Sequence, residues 1–124
     1  MKRSILVVDD DKAILRTVKK IFERENYTVL TAGSGEECLA ILRKGFSGLV
    51  LMDIEMKTMD GWDTIEAIVN ENLIEDIIIC MLTGHETPGP RMERLKEYVL
   101  DYIRKPFDAT RLVQVVDGYF SFLS

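Results

Sequence analysis

Ile77-Ile78-Ile79-Cys80-Met81-Leu82 is an unbroken apolar run that ends in Thr83-Gly84. Its length and β-branched content read as a strand buried on both faces rather than as part of a helix. Two upstream runs share the design. Leu49-Val50-Leu51-Met52 is closed by Asp53, and Ile5-Leu6-Val7-Val8 by Asp9. Tyr27–Ala32, rich in β-branched and aromatic residues, reads as another strand. Helical spacing fills the gaps. Residues 12–25 carry Ile14, Val18, Ile21 and Phe22 on one face. Ser34-Gly35-Glu36-Glu37 forms a capping box, opening a helix with Leu39 and Leu42 that Gly45 ends. Asp60-Gly61-Trp62 starts a helix with Trp62, Ile65, Ile68 and Val69 on one face.

Downstream of the central run, Pro88-Gly89-Pro90 keeps the next helix from starting much before Pro90, itself acceptable as a first helical residue. Met92, Leu95 and Val99 then share a helical face, and Tyr102-Ile103-Arg104 is a short edge strand. Asp108 caps a last helix bearing Leu112, Val115, Val116, Tyr119 and Leu123. Strands that are apolar on both sides, alternating with helices, indicate a parallel sheet covered on both faces. Right-handed crossovers give a doubly wound α/β fold: five strands in the flavodoxin-like order 2-1-3-4-5, with five helices, in one domain over 1–124. Ligands in such sheets bind beyond the carboxyl ends of the strands, here at the switch point between strands 1 and 3.

Composition narrows the function. Of 124 residues, 47% are hydrophobic and 30% charged, a globular balance. The net charge of −5 disfavours a nucleic-acid surface. Two cysteines, Cys38 and Cys80, and one histidine, His85, exclude a structural zinc site and two-His metal sites. Free thiols suit a reducing compartment, so a cytoplasmic location is expected. The apolar start is too short for a signal peptide or membrane span.

The chemistry sits at the predicted carboxyl edge. Asp9-Asp10-Asp11 ends strand 1, Asp53 ends strand 3, Thr83 ends strand 4, and Lys105-Pro106 follows strand 5. Two carboxylates ~4 Å apart repel by about 4 kcal/mol at an effective dielectric near 20. Clustered acids therefore need protons or a cation, and Lys105 supplies too little charge. A hard divalent ion, Mg²⁺, suits one or two carboxylates with waters and phosphate oxygens. An aspartate at such an edge can accept a phosphoryl group as an aspartyl phosphate, with metal, lysine and hydroxyl stabilising the phosphoryl oxygens.

These segments, with Leu51-Met52-Asp53-Ile54-Glu55-Met56, Met59-Asp60-Gly61 and Lys105-Pro106-Phe107, resemble the receiver domains of two-component response regulators along the whole chain. The resemblance implies that Asp53 is the phospho-acceptor. It implies that Asp9 and Asp10 hold Mg²⁺, with Asp10 the more direct ligand, and that the backbone carbonyl of Glu55 completes the shell. Thr83 would bond the phosphoryl group, Lys105 would pair with it, and Tyr102 would be the aromatic switch. The bond before Pro106 is expected to be cis. A sensor histidine kinase or phosphotransfer protein is the implied donor. The face of helix 4, strand 5 and helix 5 is the implied partner surface, with a homodimer on phosphorylation left open. No membrane is implied, and catalysis is limited to the domain's own phosphorylation and dephosphorylation. No output domain follows the last helix, so a stand-alone or excised receiver is expected.

Plainer roles compete at some positions. Asp11 reads as a helix N-cap. Glu55 can face solvent while only its carbonyl matters. Tyr102 can be a packing aromatic, and His85 a loop residue or a group flanking the site two residues past Thr83. The family usually has proline where this chain has Lys57, and Pro88-Gly89-Pro90 departs from the usual start of helix 4. Two other functions remain on the sequence. One is a phosphohydrolase with Asp53 as nucleophile and Glu55 as general acid, although its acid pair would stand on the third strand. The other is a phosphorylation-independent interaction module.

Overall fold

The computed structural model describes residues 3–84 and 89–123. Expectations on His85 and Pro88, and on the side chain of Leu123, lie outside the described residues. The five expected strands form, all parallel: β1 (Ser4–Val8), β2 (Thr28–Ala32), β3 (Gly48–Asp53), β4 (Ile77–Thr83) and β5 (Val99–Arg104). Their order is β2-β1-β3-β4-β5. Between and after them lie α1 (Lys12–Glu23), α2 (Gly35–Arg43), α3 (Gly61–Asn70), α4 (Pro90–Leu95) and α5 (Ala109–Leu123). The flavodoxin-like α/β architecture read from the sequence is therefore the observed one.

Side chains alternate along each strand, so one continuous apolar run feeds two cores. Leu6, Val8, Val50, Met52, Ile79 and Met81 face a core completed by Cys38, Leu39 and Leu42 of α2 and by Trp62, Ile65 and Ile68 of α3. Ile5, Val7, Leu49, Leu51, Cys80 and Leu82 face the other core, which holds Val18 and Phe22 of α1 and Leu112, Val116 and Phe120 of α5. Burial pushes both thiols, Cys38 and Cys80, up to about 12, so neither is a nucleophile. No helix among the described residues is long and apolar enough to cross a membrane.

The caps explain where helices begin. Asp11 is the N-cap of α1, its side chain accepting from the Ala13 amide. Ser34 Oγ accepts from the Glu37 amide, but Glu37 returns its carboxylate to the Gly33 amide instead of completing a box with Ser34. The complete capping box is at α3, where Asp60 and Asp63 exchange both bonds. Asp108 caps α5, accepting from the Thr110 and Arg111 amides.

One expectation needs correction. Val99 does not continue the face of Met92 and Leu95. The chain leaves α4 at Leu95, makes a single 3₁₀ turn at Lys96–Tyr98, and enters β5 at Val99. Val99 pairs with Ile79, which buries it against the sheet. The strand therefore starts three residues before Tyr102, and Leu100 is an exposed bulge between the Ile79–Val99 and Cys80–Asp101 pairs.

Candidate functional site

Parallel strands put all their carboxyl ends on one edge, and that edge gathers the predicted residues from four strands. Asp9 is fully buried just past β1, Asp53 closes β3 at 5% exposure, and Thr83 closes β4 at 1%. Lys105 follows β5, and its amide donates to the Thr83 carbonyl at 2.8 Å. Asp10 is exposed at the rim. One carboxylate oxygen from each of Asp9, Asp10 and Asp53 lies within 4.8 Å of the others.

Each group is held. Asp9 Oδ1 accepts from the Asp11 amide at 2.9 Å, and its Oδ2 accepts from Lys105 Nζ at 2.9 Å. Lys105 Nζ also lies 3.3 Å from Asp53 Oδ1, which accepts from the Glu55 amide at 3.3 Å. Asp10 Oδ2 accepts from the Lys57 amide at 3.1 Å. Burial pushes the Asp53 carboxyl up, the charge of Asp9 adds to this, and Lys105 and the Glu55 amide only partly offset it, leaving a pKa of about 6. Burial alone would lower the pKa of Lys105. Its bond to Asp9 and the charge of Asp53 outweigh that and hold the ammonium above its ordinary value.

Three carboxylates face one ammonium, so the ionised edge carries a surplus negative charge that a divalent cation with oxygen ligands would balance. Thr83 Oγ1 is buried and has no hydrogen-bond partner among the described residues. A buried hydroxyl left open at this edge suits an incoming oxygen-rich group. The residues present thus fit both a hard metal ion and a phosphoryl oxygen. The Glu55 side chain is exposed and stands outside the acidic trio. Tyr102 is half-buried on β5, its ring centroid 6.4 Å from that of Trp62. The bond before Pro106 is cis, as the resemblance implied.

The β3–α3 loop fixes Asp53. Gly61 donates its amide to the Ile54 carbonyl at 2.8 Å, and Thr58 turns the chain at φ +69°. A Cβ on Gly61 would stand 2.7 Å from the Asp53 carbonyl oxygen and 2.9 Å from Ile54 Cα. Gly61→Ala is therefore expected to cost about 1–3 kcal/mol through overpacking. The backbone that must yield is that of Asp53, so the Asp53–Lys105 contact loosens as well. Urea unfolding measures the first effect, and a rise in the Asp53 carboxyl pKa by NMR would report the second, because Lys105 holds that pKa down.

A groove of about 700 Å³ opens beside the trio, lined among others by Asp10, Lys57, Trp62, Arg91 and Tyr102. Arg91 was not foreseen. Its guanidinium bridges Asp60 and Asp63, with Nη2 2.6 Å from Asp60 Oδ2, while Arg94 pairs with Glu66 at 2.5 Å. These pairs fasten α4 to the start of α3. The Asp60-x-x-Asp63 spacing was the available signal that charge would gather there.

The response regulator receiver domain model matches residues 5–117. A CheY-like receiver domain structure from Methanospirillum hungatei is 44% identical, with a TM-score of 0.91 over 96% of this chain and 94% of that one. The chemotaxis protein CheY4 of Vibrio cholerae is 25% identical, with a TM-score of 0.83 over 95% of this chain and 98% of that one. Among curated relatives, the C4-dicarboxylate transport transcriptional regulatory protein DctD of Rhizobium meliloti is 33% identical over 111 residues, 90% of this chain. This chain spans 24% of DctD and 44% of the probable transcriptional regulator ycf27 of Porphyra purpurea, to which it is 36% identical. With the sheet order, the acidic edge and these matches in agreement, the chain belongs to the response regulator receiver domains, which are phospho-accepting signalling switches.

Proposed function

We propose that Asp53 is the phospho-acceptor and that Asp9, Asp10 and Asp53 hold Mg²⁺, with the Glu55 backbone carbonyl as a further ligand. The observation that carries this reading is the meeting of three carboxylates, one ammonium and a partnerless buried hydroxyl at one sheet edge. An Asp53 carboxylate oxygen bonds to phosphorus while the phosphorus–nitrogen bond of a phosphohistidine breaks, and the imidazole leaves with the electron pair. The donor is a sensor histidine kinase or a phosphotransfer protein. When bound, Mg²⁺ supplies charge that offsets the phosphoryl oxygens. Lys105 pairs with one of those oxygens, and the Thr83 hydroxyl donates to another.

The added phosphoryl charge draws Thr83 toward it, and Tyr102 follows, so the population of a second state of α4, β5 and α5 rises. That face then selects an effector or a second copy of the domain. The location is the cytoplasm, which suits two buried free thiols. Catalysis extends only to the domain's own phosphorylation and dephosphorylation. The phosphohydrolase alternative loses ground because its general acid, Glu55, is exposed and outside the trio.

Intact-mass measurement after incubation with a small phosphodonor tests the proposal. Wild type with Mg²⁺ is expected to gain one phosphoryl group, and chelation with EDTA to suppress the gain. Asp53→Asn is expected to gain none. Undiminished labelling of Asp53→Asn would exclude Asp53 as the acceptor.

A further inference from the structure

We infer that the main-chain amide of Lys57 is a positioning group for the metal site, holding the exposed Asp10 carboxylate in line with Asp9 and Asp53. The inference rests on the metal reading of the acidic trio. Of the three carboxylates, Asp9 and Asp53 are buried and each accepts both a main-chain amide and Lys105. Asp10 is exposed and lacks the lysine. An untethered side chain at the rim would spread over several rotamers, and a metal would have to order it on binding. Among the described residues, the bond from Lys57, 47 positions away in sequence, is the one hydrogen bond that the Asp10 carboxylate receives.

The loop makes that amide available. Gly61 closes the loop onto Ile54, and the Lys57 carbonyl accepts from the Met59 amide at 2.7 Å. The chain between these bonds turns back far enough for the Lys57 N–H to meet Asp10 across the site mouth. Proline, which the family usually has at this position, carries no N–H and could not make this bond. The departure at Lys57 therefore acts through the backbone: it adds a donor that links the loop after β3 to the acid after β1. The Lys57 side chain is exposed, so its charge is a separate and screened influence.

Two substitutions separate the amide from the charge. Lys57→Ala and Lys57→Pro both lose the ammonium, but only Lys57→Pro loses the N–H. In calorimetric Mg²⁺ titrations, Lys57→Pro is expected to bind about five-fold more weakly than Lys57→Ala, a loss of one ordinary hydrogen bond. Equal affinities would overturn the inference while leaving the metal site intact. A wild type that binds no Mg²⁺ would overturn the metal reading and this inference together. Should Lys57→Pro fail to fold, amide exchange decides in metal-free protein. The Lys57 N–H is expected to exchange several-fold faster in Asp10→Ala than in wild type, with neighbouring amides of the loop unchanged. No difference at Lys57 would sink the proposal.

Discussion

Lys105→Met, in metal-free buffer at neutral pH, is expected to unfold about 3 kcal/mol more easily than wild type. Methionine keeps the aliphatic stem, so the change removes the ammonium and little packing. Lys105 Nζ lies 2.9 Å from an Asp9 oxygen and 3.3 Å from an Asp53 oxygen, and the Asp9 side chain is only 1% exposed. Removing one partner of a buried pair leaves an uncompensated charge and costs about 3–5 kcal/mol. The Lys105 side chain is 23% exposed, which places the loss at the lower end. The deficit is also pH-dependent. In the variant Asp53 loses a cation and takes a proton at higher pH than in wild type, so the deficit narrows as pH falls toward about 6, where wild-type Asp53 takes its proton as well. Urea unfolding at two pH values measures both effects, and coincident curves at neutral pH would contradict the geometry. Lys105→Met should also slow phosphoryl incorporation, because the ammonium no longer meets the phosphoryl oxygens.

Asp53→Asn carries the opposite sign. The folded Asp53 carboxyl has a pKa of about 6 against an ordinary value of 3.8. Between those values the folded protein holds a proton that the unfolded chain has released. Asp53 therefore contributes stability that is fully present below about pH 4 and is lost as pH rises through about 6. At 1.36 kcal/mol per pH unit the loss approaches about 3 kcal/mol by pH 8. Asn has no charge to bury, although it gives up the contact with Lys105. The net gain for Asp53→Asn at pH 7 is expected to be about 2 kcal/mol, with a much flatter pH dependence. Adding Mg²⁺ should raise wild type toward the variant, because the ion removes the repulsion that the substitution removes. Thermal melts across this range would read it. A variant less stable than wild type at pH 8 would show that the acid pair is not in conflict.

Strands β1, β3 and β4 were legible because each was an apolar run, and the polar residues closing those runs, Asp9, Asp53 and Thr83, fell at one end of a parallel sheet. The helices were legible from caps such as Asp11 and Asp108. Val99 was misread because Met92, Leu95 and Val99 fit a helical period. Pairing with Ile79 buries Val99 in the sheet, and that tertiary gain overrides local spacing. Arg91 looked like any surface arginine until α4 came to rest beside the capping box of α3. The Lys57 donor was invisible for another reason: a main-chain amide leaves no mark in a sequence except where proline removes it. The sheet edge thus follows from composition along the chain, whereas the links between loops depend on backbone path.

The groups at the edge inherit their spacing from the sheet itself. Neighbouring strands stand roughly 4.8 Å apart, a distance set by peptide hydrogen bonds and indifferent to side-chain identity. Asp9, Asp53, Thr83 and Lys105 each occupy the end of one rung in that lattice, β1, β3, β4 and β5 in turn. The residue three rungs from Asp9 must still touch it, and a long flexible stem with a compact cation at its tip makes that reach. Substitution at the rim can therefore change what a group does but hardly where it stands, which makes this edge a scaffold on which oxygen chemistry can be rewritten without redrawing the protein.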